Sequence, residues 1–247
     1  SWGRDLLPDV RTEFGELLRA CDAVEGIERI RFTSPHPKDF RAPVIAAIAE
    51  CASVCEHVHL PLQSGSASLL KAMRRAYTPD RYLGLVERLR AAIPDVALGT
   101  DLIVGFPGES EHDFEETLGA VREVGFDDAY TFKFSPREGT PATRMPESET
   151  IADDVASDRL ARLINTVRTG SRSRNMRMLG QRREVLVEKE ARRGGLLQAR
   201  TRDFKTVIVP GEPSMIGSYL TVELTGTTGS TFTGSVVRDR AALPMAG

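Results

Sequence analysis

The sequence predicts an α/β protein in two parts. A partial parallel (β/α) barrel is followed by a small antiparallel β-barrel of OB-like type. Three observations carry this. Residues 1–140 alternate between helical and strand-like patterns. Two of the strands end in small polar or glycine-rich runs, Gln63-Ser64-Gly65-Ser66 and Gly105-Phe106-Pro107-Gly108. Strand ends of that kind form the ligand rim of α/β folds. From Gln181 onward the pattern changes to short β-rich runs punctuated by glycine and proline.

Each element has a local reason. Phe14, Leu17 and Leu18 are spaced for one helical face, and Gly26 ends that segment. Residues 27–33 alternate like a strand. Residues 40–52 read as a helix and 57–62 as a strand. The helical region 69–92 is interrupted at Thr78-Pro79-Asp80, where Thr78 suits an N-cap and Pro79 a first turn. Residues 96–104 read as a strand. Ser110 is the candidate N-cap of the next helix, with Asp113, Glu115 and Glu116 at its positive end and Gly125 at its close. Residues 129–134 alternate aromatic and polar side chains, as a strand would. Four strands joined by helices imply a parallel sheet. With helices on the outer face only, it is an incomplete barrel; an open sheet is the competing topology.

Residues 148–178 form a long polar helical stretch without a clean apolar stripe. Five short strands follow at 184–187, 196–201, 206–209, 219–224 and 231–237. The expected division is 1–147 for the partial barrel, 148–180 for a helical connector and 181–243 for the small β-barrel. Charge shifts at the same boundary: residues 181–247 hold 10 Lys/Arg against 7 Asp/Glu. Arg192, Arg193, Arg200, Arg202 and Lys205 lie in its most basic part, which fits a phosphate backbone as partner.

Composition excludes several classes. A net charge of −2 rules out a polycation. No apolar run approaches the roughly 20 residues of a membrane helix, and nothing at the N-terminus reads as a signal peptide. Three cysteines make no disulfide framework, so a reducing cytoplasm is the expected setting. Cys51 and Cys55 show a Cys-x3-Cys spacing, but Val58 stands where a third cluster ligand would be needed. His57 and His59 share one strand face without an evident third metal ligand. No metal site is expected from this chain, and no catalytic side chain is assigned.

Four ordered motifs carry a resemblance. They are His59-Leu60-Pro61-Leu62-Gln63-Ser64-Gly65-Ser66, Met73-Arg74-Arg75-Ala76-Tyr77-Thr78, Thr100-Asp101-Leu102-Ile103-Val104-Gly105-Phe106-Pro107-Gly108-Glu109, and Phe134-Ser135-Pro136-Arg137-Glu138-Gly139-Thr140-Pro141-Ala142. Together they resemble the methylthiotransferase family of radical S-adenosylmethionine enzymes. Arg31-Phe32-Thr33-Ser34-Pro35-His36-Pro37 is similar to its third-strand motif, and the small β-barrel resembles its RNA-binding TRAM module.

The resemblance implies about four of six barrel strands here. It is closest to the branch that adds a methylthio group to C2 of N6-isopentenyl-adenosine beside the tRNA anticodon. Other branches act on threonylcarbamoyl-adenosine in tRNA or on a ribosomal-protein aspartate; a non-catalytic RNA-binding remnant is a reading from another class. The implied cofactors are S-adenosylmethionine and two 4Fe–4S clusters, with an external electron donor. The cluster cysteines of the family precede the segment matched here, so this chain alone is expected to be inactive. The implied cofactor-binding residues are Gln63, Ser64, Gly65, Ser66, Asp101, Ile103, Gly105, Phe106, Pro107 and Gly108. The implied RNA contacts are Arg137, Arg192, Arg193, Arg200, Arg202 and Lys205, holding the tRNA anticodon stem-loop. The intact enzyme is expected to be a cytoplasmic monomer.

Overall fold

The structure, a computed structural model, describes residues 14–33, 36–136, 139, 145–192 and 194–237. The chain divides into two compact units, 1–171 and 172–247. In the first, helix α1 (Phe14–Asp22) lies against α2 (Ala42–Glu50). Gly15 permits that approach, because a Cβ there would sit 2.7 Å from the Pro43 carbonyl oxygen. Strand β1 (His57–His59) is followed by α3 (Ala67–Ala72) and α4 (Pro79–Ala92). Thr78 caps α4 by accepting from the Arg81 N–H, as its sequence predicts. Strand β2 (Ala97–Val104) leads to α5 (Glu111–Val124), which begins in a reciprocal Ser110/Asp113 capping box and ends at Gly125 with φ 58°. Strand β3 (Asp128–Lys133) completes a parallel sheet in the order β1-β2-β3.

The fourth expected strand is corrected. Residues 27–33 contribute a single parallel bridge, Ile30 to Val54. Their neighbour, 51–56, is turn, bend and loop apart from the bridge at Val54, so among the described residues no extended partner offers a ladder. Phe32 instead packs edge-on against Phe14, with ring centroids 5.2 Å apart.

One face of the sheet carries Val58, Leu98, Leu102 and Val104, each 0% exposed, into the core shared with α2, α4 and α5. Beyond β1, phenols hold the chain. Tyr82 donates to the Leu60 carbonyl at 2.7 Å, and Tyr77 donates to the Pro61 and Leu62 carbonyls at 3.0 and 3.1 Å. Burial pushes the Tyr77 hydroxyl up to about 12, so it remains a neutral donor.

Helix α6 (Asp153–Met176) runs across the boundary between the units. The second unit is a closed barrel of β4 (Arg182–Glu190), β5 (Leu196–Thr201), β6 (Thr206–Pro210), β7 (Tyr219–Thr227) and β8 (Thr231–Val236). Its order is β4-β5-β6-β8-β7, with β6 and β8 parallel and β4 closing on β7. Alternate residues fill it: Val185 and Val187, Leu197 and Ala199, Val207 and Val209, Val222 and Leu224, and Phe232. Among the described residues no helix is long and apolar enough to cross a membrane.

Candidate functional site

The second face of the parallel sheet is different from the first. Register places His57 and His59 of β1, Gly99, Asp101 and Ile103 of β2, and Asp128, Tyr130 and Phe132 of β3 on one side. Tyr130 and Phe132 are 57% and 50% exposed. Alternation therefore turns Ile103 to this open face and Val104 to the core. His59 and Asp101 are joined, Nε2 to Oδ1, at 3.1 Å, and the Tyr130 ring lies 5.8 Å from the imidazole. Asp128 Oδ1 is buried without a hydrogen bond and lies 4.0 Å from His57 Nε2. Gly99 makes room for one acid and one imidazole: a Cβ there would meet Asp128 Oδ1 at 2.5 Å and His59 Nδ1 at 3.2 Å.

Gln63 continues the pairing beyond β1, with an isolated parallel bridge to Leu102. Its N–H donates to the Asp101 carbonyl at 2.8 Å, and its carbonyl accepts from the Ile103 N–H at 2.9 Å. It holds φ 70°, an uncommon conformation for a residue with a side chain. The next three residues are engaged with α5. Ser64 Oγ is 3.1 Å from Thr117 Oγ1, and the Gly65 N–H donates to that same oxygen at 3.0 Å. A Cβ on Gly65 would stand 2.5 Å from the Glu116 carbonyl oxygen and 2.7 Å from Thr117 Cα. Ser66 sits at the N-cap of α3 but makes no side-chain cap bond there. Its hydroxyl, like that of Ser68, donates to Asp113 Oδ1 at 2.5 Å. Burial pushes the Asp113 carboxyl up, but the bonds from Ser110, Ser66 and Ser68 outweigh it and hold the group well below the usual carboxylate range.

The second rim is equally occupied. Gly105 has φ 73°, and its N–H donates to Glu109 Oε2 at 2.7 Å. A Cβ there would be 2.8 Å from the Ala156 Cβ. Phe106 is buried edge-on against Phe134, and Pro107 is buried beside it. Gly108 has φ 80° and donates to the Glu149 carbonyl at 2.8 Å. Glu109 is a residue that sequence reasoning left unassigned. Its side chain is fully buried and paired with Arg159 Nη1 at 3.0 Å. Burial raises its carboxyl, opposed by the Gly105 N–H and Arg159. The partner lies 50 positions away in sequence, so no local signal marked the pair.

The cysteines do not suit an iron–sulfur cluster. Cys51 and Cys55 are buried, and burial raises the Cys51 thiol, which disfavours the thiolate a cluster needs. No group of three His, Cys, Asp or Glu side chains fit to hold a metal ion occurs among the described residues. For S-adenosylmethionine the fit is better: the open face offers apolar surface at Ile103, Tyr130 and Phe132 beside the orphaned oxygen of Asp128.

The two units carry opposite charge. The second holds 13 Lys/Arg against 7 Asp/Glu, the first 20 against 28. Arg192 is exposed, and Arg200 and Arg202 are half-buried. Lys205 departs from the expectation of a surface cation, being only 7% exposed. Arg137 and Arg193 lie outside the described residues, as do Ser34-Pro35 of the third-strand motif and most of the segment 137–144.

Known proteins share this plan. The radical SAM superfamily matches residues 7–121, and the TRAM domain matches 176–237. The tRNA-2-methylthio-N(6)-dimethylallyladenosine synthase 1 of Mycobacterium marinum is 53% identical over 187 residues, 76% of this chain and 35% of that protein. The synthase of Pelotomaculum thermopropionicum is 44% identical over 92% of this chain and 50% of its own length. That of Alkaliphilus oremlandii is 44% identical over 97% of this chain and 50% of its own. The chain thus spans about half the length, or less, of these curated relatives.

Proposed function

We propose, for a chain that belongs to the methylthiotransferase family of radical S-adenosylmethionine enzymes, that it forms the cofactor-facing sheet and the RNA-holding barrel of a tRNA methylthiotransferase. The modified atom is C2 of N6-isopentenyl-adenosine beside the anticodon. The observation that carries this reading is the open sheet face, where Asp101 and Ile103 stand between paired imidazole and exposed aromatics. The relatives' shared name supplies the substrate.

S-adenosylmethionine, when bound, supplies the radical and the methyl group. The chain's own residues orient it and exclude water. Asp101, fixed by His59, would accept hydrogen bonds from the hydroxyls of the bound cofactor. Ile103 and Phe132 give the adenine an apolar wall, and Gln63 shapes the rim through its main chain. Ser64, Gly65 and Ser66, with Gly105, Phe106, Pro107 and Gly108, frame that wall by fixing it to α5 and to the start of α6. The described cysteines take no part, so no cluster step is assigned to them.

We assign 1–147 to the partial barrel, 148–180 to the connector and 181–243 to an OB-like TRAM barrel. The parallel closure of β6 on β8 supports that last assignment. The barrel's basic surface, Arg192, Arg200 and Arg202 together with Arg137 and Arg193, binds the anticodon stem-loop in the cytoplasm. The test is nucleoside mass spectrometry of tRNA from the source organism with the gene deleted. The expected result is loss of the 2-methylthio-isopentenyl nucleoside and accumulation of its isopentenyl precursor. Unchanged isopentenyl nucleosides, with loss of methylthio groups on threonylcarbamoyl-adenosine or on a ribosomal protein, would overturn it.

A further inference from the structure

The turn between β5 and β6 carries an aromatic in an unusual state. Phe204 has φ 69°, a left-handed conformation that a bulky residue rarely adopts. It is 37% exposed, and it is not among the apolar side chains that plug the barrel core. Its close company is instead a cation. The Arg200 guanidinium carbon lies 4.3 Å from the ring centroid. Arg200 is itself oriented by Glu188, Nε to Oε1 at 2.8 Å, and Nη1 reaches the Phe204 carbonyl at 3.4 Å. The turn is closed by the Lys205 N–H donating to Thr201 Oγ1 at 2.8 Å and the Thr201 N–H donating to the Lys205 carbonyl at 3.0 Å. A strained backbone is thus locked so as to hold a ring outward, with a planar cation stacked on it.

A ring held this way on a basic barrel suits one ligand chemistry. Every nucleobase has a π-face, and aromatic platforms beside cationic backbone contacts are how single-stranded nucleic acid is gripped. A cation behind the ring adds to the stack. A ring present only for packing has no need of exposure or of a left-handed backbone. We infer that Phe204, backed by Arg200, is the stacking seat for one unpaired base of the bound RNA. This rests on the reading of the barrel as an RNA-binding module. It adds which kind of nucleotide is recognised, an unstacked one, and by which side chain.

The experiment uses the 247-residue chain with two labelled probes, an anticodon stem-loop RNA and a blunt RNA duplex of equal length. Affinity is read by fluorescence anisotropy across a salt series. Phe204→Gly removes the ring and suits the observed φ, so its melting temperature should be unchanged or higher. Its affinity for the stem-loop should fall on the order of tenfold, with the duplex unaffected and the salt slope unchanged. Phe204→Trp, in a Trp2→Phe background, should keep the affinity, and its fluorescence should be quenched by the stem-loop only. Wild-type affinity in Phe204→Gly, or equal losses for both probes, would overturn the inference while leaving RNA binding intact. If the unaltered chain binds neither probe, the RNA reading itself fails, and the stacking seat with it.

Discussion

The rim loops and the open sheet face of the first unit spend their polar groups in opposite ways. In the Gln-Ser-Gly-Ser loop the hydroxyls of Ser64 and Ser66 are consumed by Thr117 and Asp113 of α5. At the second rim, the Gly105 N–H is consumed by Glu109 Oε2, which Arg159 neutralises, and Glu109 Oε1 is the one side-chain oxygen of that carboxyl left buried without a hydrogen bond. On the sheet face, Asp101 carries only a histidine, Asp128 keeps an orphaned oxygen, and two aromatics stand exposed. The family-identifying residues are therefore largely a frame, demanded by packing. The groups left available to a ligand sit at alternate strand positions that make a much weaker pattern in sequence.

Substitutions in the two regions should have separable effects. Arg159→Ala would leave Glu109 buried without its cation. It should cost about 3–5 kcal/mol, read as a large drop in melting temperature. Gly65→Ala drives a Cβ into the backbone of α5 and should cost about 3 kcal/mol in chemical denaturation. Asp113→Asn removes the charged acceptor of three serines at a site open to solvent on one side, and about 1 kcal/mol is expected at neutral pH. Because the folded carboxyl lies below its ordinary 3.8, its stabilisation is fully present above that value. It is lost as pH falls through the depressed folded value, so the gap between wild type and Asp113→Asn should close in acid. Gly99→Ala meets a movable carboxylate rather than backbone, so under about 1 kcal/mol of stability should be lost. Its effect should appear in ligand affinity, through displaced Asp128 and His59. Equal stability losses for Gly65→Ala and Gly99→Ala would remove the distinction between frame and face.

Local signals made most elements legible. The Thr78-Pro79 start of α4 and the Ser110 N-cap of α5 are written within four residues and appear as expected. The five barrel strands were readable from alternation and glycine punctuation. Long-range pairing was not. Residues 27–33 alternate as a strand should, yet only Ile30 pairs, because the register partner is a turn. The roles of Ser66 and Ser68 depend on Asp113, more than 40 positions away. The alternation of Tyr130 and Phe132 was visible, but their exposure depends on which face the helices cover. Lys205 looked like one of a run of surface cations, while turn geometry at Thr201 buries it.

Calorimetric titration of S-adenosylmethionine into the chain and into Asp101→Asn and Ser66→Ala variants, with melting temperatures taken in parallel, tests the division between frame and face most directly. The expected result is about tenfold weaker binding for Asp101→Asn with little loss of stability. Ser66→Ala should bind normally and melt lower by the equivalent of about 1 kcal/mol. The reverse pattern, with affinity lost at Ser66 and kept at Asp101, would contradict the assignment of the open sheet face as the cofactor wall.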